Sequence, residues 1–444
     1  MRPSPTPSAA PLTLREVLAT WAPLAGSWLL MGLELPAVSA VMARLPESTV
    51  SLAAYGGVVF PLALLIESPI LMLLTASTAL ARDARSYRIV RRFMWVAGGA
   101  LTVLHAAIAF TPLFDVLASA VIAVPEAVRE PARMGLRIML PWSMAIAYRR
   151  TQQGVLIRFD RARAVTVGTM IRLGTLATVL ALGAAYGHAP AIVVGTTAVA
   201  SAVVAEAVFA RLAVGPLVRG ALADAPAPAG DPLTMRSFLR FYVPLMLTPL
   251  LHFLGMPLAA SAMSRMPLPL ESLAVWPVLS GAAFTGRSVG FAYNEGVVAL
   301  LERTRPWPML RRFAWTLGLT LTTVLLVGAV TPLGAGWFRH AAGLSDPLAD
   351  MAWRGLPLLV PMGLLTVAQS LLQGVLVHAR ATRAITESMA VLLVATGAVL
   401  TAGIAYGRTP GLPFAAAALT AGGLAQVAWL AWRSRAARRA LVAR

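Results

Sequence analysis

RRFMW at 91–95 returns as RRFAW at 311–315, and QGVLI at 153–157 returns as QGVLV at 373–377. Thr111-Pro112 is matched by Thr331-Pro332, and Ala185-Tyr186-Gly187 by Ala405-Tyr406-Gly407. Pro141 and Pro361 each stand twelve residues ahead of the repeated glutamine. The offset is 220, slipping to 221 near the start of each copy, where Pro23, Pro36, Arg44 and Pro46 match Pro244, Pro257, Arg265 and Pro267. The chain is therefore two versions of one unit. In a membrane, two such lobes facing each other are a physical route to a cavity that opens to either side.

The membrane follows from composition. Only 12% of the residues are charged and 58% are hydrophobic, whereas a soluble domain carries about 25% charge. Apolar stretches long enough to cross about 30 Å of hydrocarbon recur along the whole chain. Spans are expected at 17–42, 50–79, 93–112, 134–157, 164–186, 190–212, 238–262, 273–300, 313–333, 354–378, 384–406 and 411–432. The fold class is thus an all-α polytopic membrane protein of about twelve transmembrane helices, six per copy. The partly polar segments 113–130 and 334–350 hold matching positions in the two copies. Each reads as a short helix lying on the membrane surface.

Arginine sets the orientation. Residues 81–92 carry five, 158–163 three, 302–312 four and 433–444 five, while the intervening loops near 43–49, 187–189, 263–271 and 407–410 carry one or none each. The positive-inside rule then places both termini and the even-numbered loops in the cytoplasm, with the chain in the cytoplasmic (inner) membrane. Six spans return the chain to its starting side, so the copies are parallel repeats. The domains expected are a cytoplasmic tail at 1–14, an N-terminal six-helix lobe at 15–213, an interlobe linker at 214–235, a C-terminal six-helix lobe at 236–432 and a basic tail at 433–444. The Pro- and Gly-containing run ALADAPAPAGDP at 221–232 carries the linker assignment.

The net charge of +19 would suggest nucleic acid in a soluble chain. Here the basic residues gather on cytoplasmic loops, where they meet anionic lipid, and nucleic acid is not expected as a partner. There is no cysteine, and the five histidines stand apart, so no metal or other cofactor is expected. No GxSxG, Walker lysine or acidic pair is present, and a membrane enzyme needs converging catalytic groups. A monomer is compatible with this reading.

Ionisable residues within spans are costly, which makes them the functional candidates. They are Glu34, Glu67, Arg137, Arg149, Arg150, Arg172 and Glu206 in the first copy, and His252, Arg287 and Glu295 in the second. Counting about 1.5 Å per residue from the cytoplasmic ends puts Arg149, Arg150 and Arg172 in one layer and Glu206 nearer the inner surface. Their counterparts at an offset of 220 are Gln369, Ser370 and Leu392, so the second copy is not cationic there. One reading lets Arg149 and Arg150 snorkel and pairs Arg172 with Glu206 or Glu67; the other makes the arginines an anion-attracting layer. Glu67 has Arg287 as its repeat partner, and the two are candidates for a gate or coupling pair. Gln153 and Gln373 recur beside Gly154 and Gly374, where close helix packing and substrate contact are both open roles.

The span 2–3 loop, LARDARSYRIVRR, lacks the glycines of the major facilitator signature. LPESTVSLAAYG at 45–56, the long second span entering that loop, PWSMAIAYRRTQQGVLIR at 141–158 and the second-copy equivalents resemble the MATE-like superfamily of multidrug, oligosaccharidyl-lipid and polysaccharide exporters. They look most like its branch related to the progressive-ankylosis protein. The resemblance implies two six-helix bundles in a V around a cavity lined by spans 1, 2, 7 and 8, with Glu34 and Glu67 on lining spans. It further implies alternating access with H⁺ or Na⁺ coupling, or anion export. The function expected is a secondary transporter exporting a small organic, anionic solute. The alternatives are a flippase of lipid-linked precursors, a multidrug or cation antiporter and, last, a membrane-embedded enzyme.

Overall fold

The structure, a computed structural model, describes residues 12–225, 232–301 and 303–442. Most of the 1–14 tail and the centre of the linker lie outside these residues. Every regular element among the described residues is helical. The first copy comprises α1 (Leu14–Gly32), α2 (Glu34–Met42), α3 (Ser48–Ala54), α4 (Phe60–Glu67), α5 (Leu73–Leu80), α6 (Ala84–Phe110), α7 (Leu113–Val116), α8 (Glu126–Ile138), α9 (Leu140–Arg158), α10 (Ala162–Tyr186) and α11 (Ala191–Arg219). The second comprises α12 (Met235–Ser264), α13 (Pro269–Leu300), α14 (Pro306–Val330), α15 (Pro332–Gly336), α16 (Asp346–Gly355), α17 (Met362–His378), α18 (Arg383–Tyr406) and α19 (Gly411–Arg433), followed by a terminal α20 (Arg435–Val442).

The repeat is written in the backbone as well as in the side chains. Left-handed residues recur as pairs: Glu47 with Leu268, Ala123 with Gly343, Asp160 with Arg380 and Gly187 with Gly407. Each sits at the 220 or 221 offset of its partner. Five-residue π-helical turns recur at Leu117–Val121 and Trp337–Ala341. Beyond α9 and α17 the same closing bond forms, from Arg161 N–H to the Leu156 carbonyl and from Ala381 N–H to the Leu376 carbonyl, each 2.8 Å. Such 6→1 bonds with a left-handed residue close a helix by satisfying its last carbonyls.

Among the described residues, nine helical segments are long and apolar enough to cross a membrane, and a bent pair, Asp346–Leu359 with Met362–His378, makes ten. The protein is thus a multi-pass, all-α membrane protein. Two expected spans fall short on composition. One is α9, which carries Arg149, Arg150, Gln152 and Gln153; the other is α13, which carries Arg287, Asn294 and Glu295. Their polar residues dilute an otherwise apolar helix.

Several boundaries differ from expectation. The fourth span does not run through 134–157: α8 ends at Ile138 and α9 starts at Leu140, with Pro141 in its first turn. Proline fits the first turn of a helix, where its missing N–H leaves no bond unmade. The surface segments are each a short helix and a π-turn followed by α8 or α16, rather than one helix. Before α12, the expected linker at 214–235 is helical as far as Arg219, because Val214 and Leu217 pack with Tyr87, Val155 and Leu156. The second span is broken after Glu67 by a 3₁₀ turn over Ser68–Ile70. Pro69 cannot donate there, and the Ser68 hydroxyl turns back to the Leu65 carbonyl at 2.8 Å.

The described chain gathers into two compact units, Met1–Ala40 with Arg265–Arg444, and Val41–Ser264. In each unit the first span of one copy packs with later spans of the other, α1 with α13 and α12 with α4. In the first unit, Gly32 lies against Ser288, whose Cβ would be 3.1 Å from an added methyl. Its carbonyl accepts from Thr285 at 2.5 Å, and Trp21 donates to the Val289 carbonyl at 2.9 Å. In the second unit, Tyr242 of α12 donates to the Pro69 carbonyl at 2.7 Å and meets the Phe93 ring edge-on at 4.8 Å. Repeat boundaries and packing boundaries are therefore distinct.

The repeated glycines hold helices close. A methyl added at Gly154 would lie 2.5 Å from the Leu74 carbonyl oxygen and 2.6 Å from Ser77 Cβ; one at Gly374 would lie 2.6 Å from Val297 Cγ1. Backbone cannot yield as a flexible side chain does, so Gly154→Ala is expected to destabilise by about 1–3 kcal/mol. Loss of thermal stability in detergent checks this, and wild-type stability would contradict the close approach.

Candidate functional site

The second unit buries a group of charges between α4, α9, α10 and α11. Arg149 and Gln153 are one turn apart on α9 and share a face, and both reach Glu206 in the middle of α11. Arg149 donates from Nη1 to Glu206 Oε2 at 2.6 Å, and Gln153 donates to Oε1 at 2.8 Å. Arg172 of α10 approaches the same Oε2 through Nε at 3.4 Å. Glu206 is 1% exposed and Arg149 8%. One carboxylate is therefore shared by two guanidinium groups and an amide. Neighbouring bonds fix α9: Tyr87 donates to Gln152 Oε1 at 3.1 Å, and Ser77 donates to the Thr151 carbonyl at 2.8 Å.

Arg150 and Glu67 complete the group. Arg150 is half-buried, and its Nε has no hydrogen-bond partner. Glu67, at the end of α4, is 1% exposed, and its Oε2 has no hydrogen-bond partner. The helix that ends at Glu67, α4, packs against α9, which carries Arg149 and Arg150. Three cations face two carboxylates, an excess of one positive charge inside a membrane protein. A buried ion pair stabilises little once desolvation is counted, and an uncompensated buried charge costs several kcal/mol. Charges in such a place need a reason other than stability.

The second copy supplies the control. At an offset of 220, Arg149, Arg150, Arg172 and Glu206 become Gln369, Ser370, Leu392 and Gln426. Gln426 is buried and donates to Ser388 Oγ at 3.3 Å. Equivalent helices thus pack with neutral residues, so the repeat fold itself does not require the charges. Sequence reasoning found the three arginines and their neutral counterparts but missed that Glu206 also has a neutral counterpart. The signal was present, since Gln426 stands at the same offset that defined the repeat.

Other expected residues lie elsewhere. Arg137 is at the end of α8, over the Phe110 ring at 5.4 Å and 3.7 Å from Glu130; the break at Met139 removes it from α9 and the cluster. Glu206 was expected near an inner helix end, but the extension of α11 to Arg219 puts it in mid-helix. Glu34 is half-buried in the first turn of α2. Arg287 is buried on α13 over the Phe291 ring at 5.1 Å. It belongs to the other compact unit from Glu67. Glu295 is exposed and accepts from Trp28 at 3.4 Å. His252 is exposed on α12, edge-on to Phe253 at 5.0 Å. Gln373 has a buried Nε2 without a partner. A groove of about 930 Å³ beside Arg311, Arg312 and Trp315, and an apolar cavity of about 370 Å³ bounded by Pro36, Thr285 and Phe338, involve no residue of the cluster.

No protein-family model and no curated protein matches the chain. Solved structures do. An inward-facing multidrug resistance MATE family transporter of the MOP superfamily aligns with a TM-score of 0.70 at 15% identity, covering 95% of this chain and 98% of its own. The lipid II flippase MurJ, in an inward closed conformation, aligns at 0.64 and 12% identity, covering 93% and 87%. A MOP superfamily transporter from Pyrococcus furiosus, described as having a binding pocket of reversed polarity that suggests a different function, aligns at 0.58 and 18%, covering 97% and 96%. At these identities the likeness establishes the fold, and the fold is that of MATE and related transporters.

Proposed function

We propose that the chain is a secondary transporter that exports a small anionic solute across the cytoplasmic membrane by alternating access. The observation that carries this reading is the buried excess of positive charge in the first copy, set against neutral counterparts in the second. A half-buried cation whose Nε has no hydrogen-bond partner, Arg150, attracts an anion and opposes a cation. That disfavours a multidrug or cation antiporter, although the fold is shared with one.

The fuller architecture belongs to the same proposal: twelve spans in two parallel sets of six, a V-shaped two-lobe arrangement, cytoplasmic termini, and membership of the ankylosis-related branch. The break at Glu67 supports a coupling role for that carboxylate, with H⁺ as the coupling ion. A second reading, a flippase for lipid-linked precursors, draws on the likeness to a lipid II flippase; there the same arginines would meet a phosphate head group.

Inside-out vesicles containing the protein test these readings with a panel of labelled organic anions, organic cations and a lipid-linked precursor. Saturable uptake of anions alone is expected. Uptake of cations alone, or of none of the soluble solutes while the lipid precursor is translocated, would overturn the anion reading.

A further inference from the structure

We propose that α14 carries a binding site for one anionic phospholipid, with the phosphate held by Arg311 and Arg312 and one acyl chain laid along the helix into the apolar cavity beyond Val324. This site lies in the other compact unit from the charge cluster. It is independent of the anion reading above and takes from it only the cytoplasmic placement of the arginine-rich ends.

The groove follows α14 at helical spacing, from Arg311 and Arg312 through Trp315, Leu319 and Thr323 to Val324. Residues three and four apart share a helix face, so the groove is one exposed stripe. Val324 also borders the apolar cavity of about 370 Å³, whose wall continues the stripe at Val327 and Gly328. Groove and cavity are thus consecutive along one helix, and all the residues that line them belong to one unit.

The order of chemistry along the stripe is that of an inner-leaflet phospholipid. The arginines come first, and both are exposed. Glu16, the carboxylate of α1 at this end, is already paired with Arg303. The terminal α20 packs on α14, with Leu441 in one cluster with Trp307 and Leu310, and adds Arg435, Arg438 and Arg439. A positive field at a membrane surface attracts anionic head groups, and guanidinium forks suit phosphate oxygens. Trp315, 56% exposed, stands one turn deeper, at the level where an indole joins head group to hydrocarbon. Val324 is twelve positions beyond Arg312, about 18 Å along the helix, a little over half of a hydrocarbon core about 30 Å thick. An acyl chain that starts at the arginines therefore reaches the cavity near its own end. There Leu33, Val327, Leu333, Trp337 and Phe338 offer it apolar surface.

A second copy of the chain suits the stripe less well. A two-fold axis along the membrane normal sets each residue of such a face against its own copy, so Arg311 and Arg312 would meet arginines. The first copy repeats the charged head as Arg91, Arg92 and Trp95, but has Gly99, Ala100 and Val103 where the stripe has Leu319, Thr320 and Thr323. Arg91 there lies over the Tyr87 ring. The lipid is therefore assigned to α14 and not to α6.

Native mass spectrometry of the purified full-length protein in detergent tests this. The probes are palmitoyl-oleoyl phosphatidylglycerol, the phosphatidylcholine with the same chains, dihexanoyl phosphatidylglycerol and inorganic phosphate. Wild type is expected to hold one long-chain phosphatidylglycerol at least about tenfold more tightly than the phosphatidylcholine, the scale of two arginines facing one net negative charge. Inorganic phosphate should not displace it. Arg311→Gln with Arg312→Gln should abolish the preference, and Arg91→Gln with Arg92→Gln should keep it. Val327→Trp, which fills the cavity, should lower the affinity for the long-chain lipid to that of the dihexanoyl form and leave the dihexanoyl form unaffected. Equal retention of the two long-chain lipids by wild type, or a preference that survives loss of Arg311 and Arg312, would overturn the site. A preference lost equally with Arg91 and Arg92 would overturn its assignment to α14. Unchanged long-chain affinity in folded Val327→Trp would overturn the path of the chain. A dimer that Leu319→Trp splits would give the face to a second copy and overturn the lipid site with it.

Discussion

Glu206→Gln should be among the most damaging single substitutions in the protein, lowering stability by about 3–5 kcal/mol. The carboxylate lies 2.6 Å from Arg149 and 3.4 Å from Arg172. Removing its charge leaves the buried Arg149 and the half-buried Arg172 without that compensation. The amide preserves shape, so the loss reads charge rather than volume. The converse follows from the second copy: Arg149→Gln and Arg172→Leu added to Glu206→Gln should restore stability to within about 1 kcal/mol of wild type, because the partners then disappear together. Denaturant or thermal unfolding in detergent measures both. A fully stable single variant would mean that the three groups do not share a dry site. A triple variant no better than the single would mean that the helices depend on the charges after all.

Much of the architecture was legible in the sequence because it is local. Gly187 and Gly407 end helices in left-handed conformation at the repeat offset, and the paired Gly154 and Gly374 seat helices at close approach. Residues that set turns and contacts in one copy do so again in the other. What was not legible depends on long-range choices. Counting residues from an assumed inner end at 212 placed Glu206 too near the surface; α11 runs seven residues further, about 10 Å, and brings Glu206 level with Arg149. The helix break at Met139 takes Arg137 away from the arginines that follow it, because Pro141 starts a new helix rather than kinking an old one. The exchange of first spans had no periodic signature. Two apolar spans of 29 and 30 residues fit either partner, and the choice rests on particular contacts such as Thr285 with Gly32 and Tyr242 with Pro69.

The same repeat gives the most direct test of the central claim, that the first-copy charges serve an anion and not the fold. Arg149→Gln, Arg150→Ser, Arg172→Leu and Glu206→Gln together install the residues that the second copy already carries at those positions. The substituted helices should pack as α17, α18 and α19 do. The cationic excess and the unpartnered Arg150 would be gone. Transport of an organic anion in inside-out vesicles should fall by at least about 100-fold, the scale of losing a buried charged contact worth about 3 kcal/mol. Arg150→Ser alone should account for most of that loss, since Arg149 and Arg172 are bound to Glu206 and serve to position it. The measurement is initial uptake rate by the fourfold variant, normalised to folded protein in the membrane. A folded variant with anion uptake reduced to background is the predicted result; a folded variant that transports the anion at the wild-type rate would contradict it.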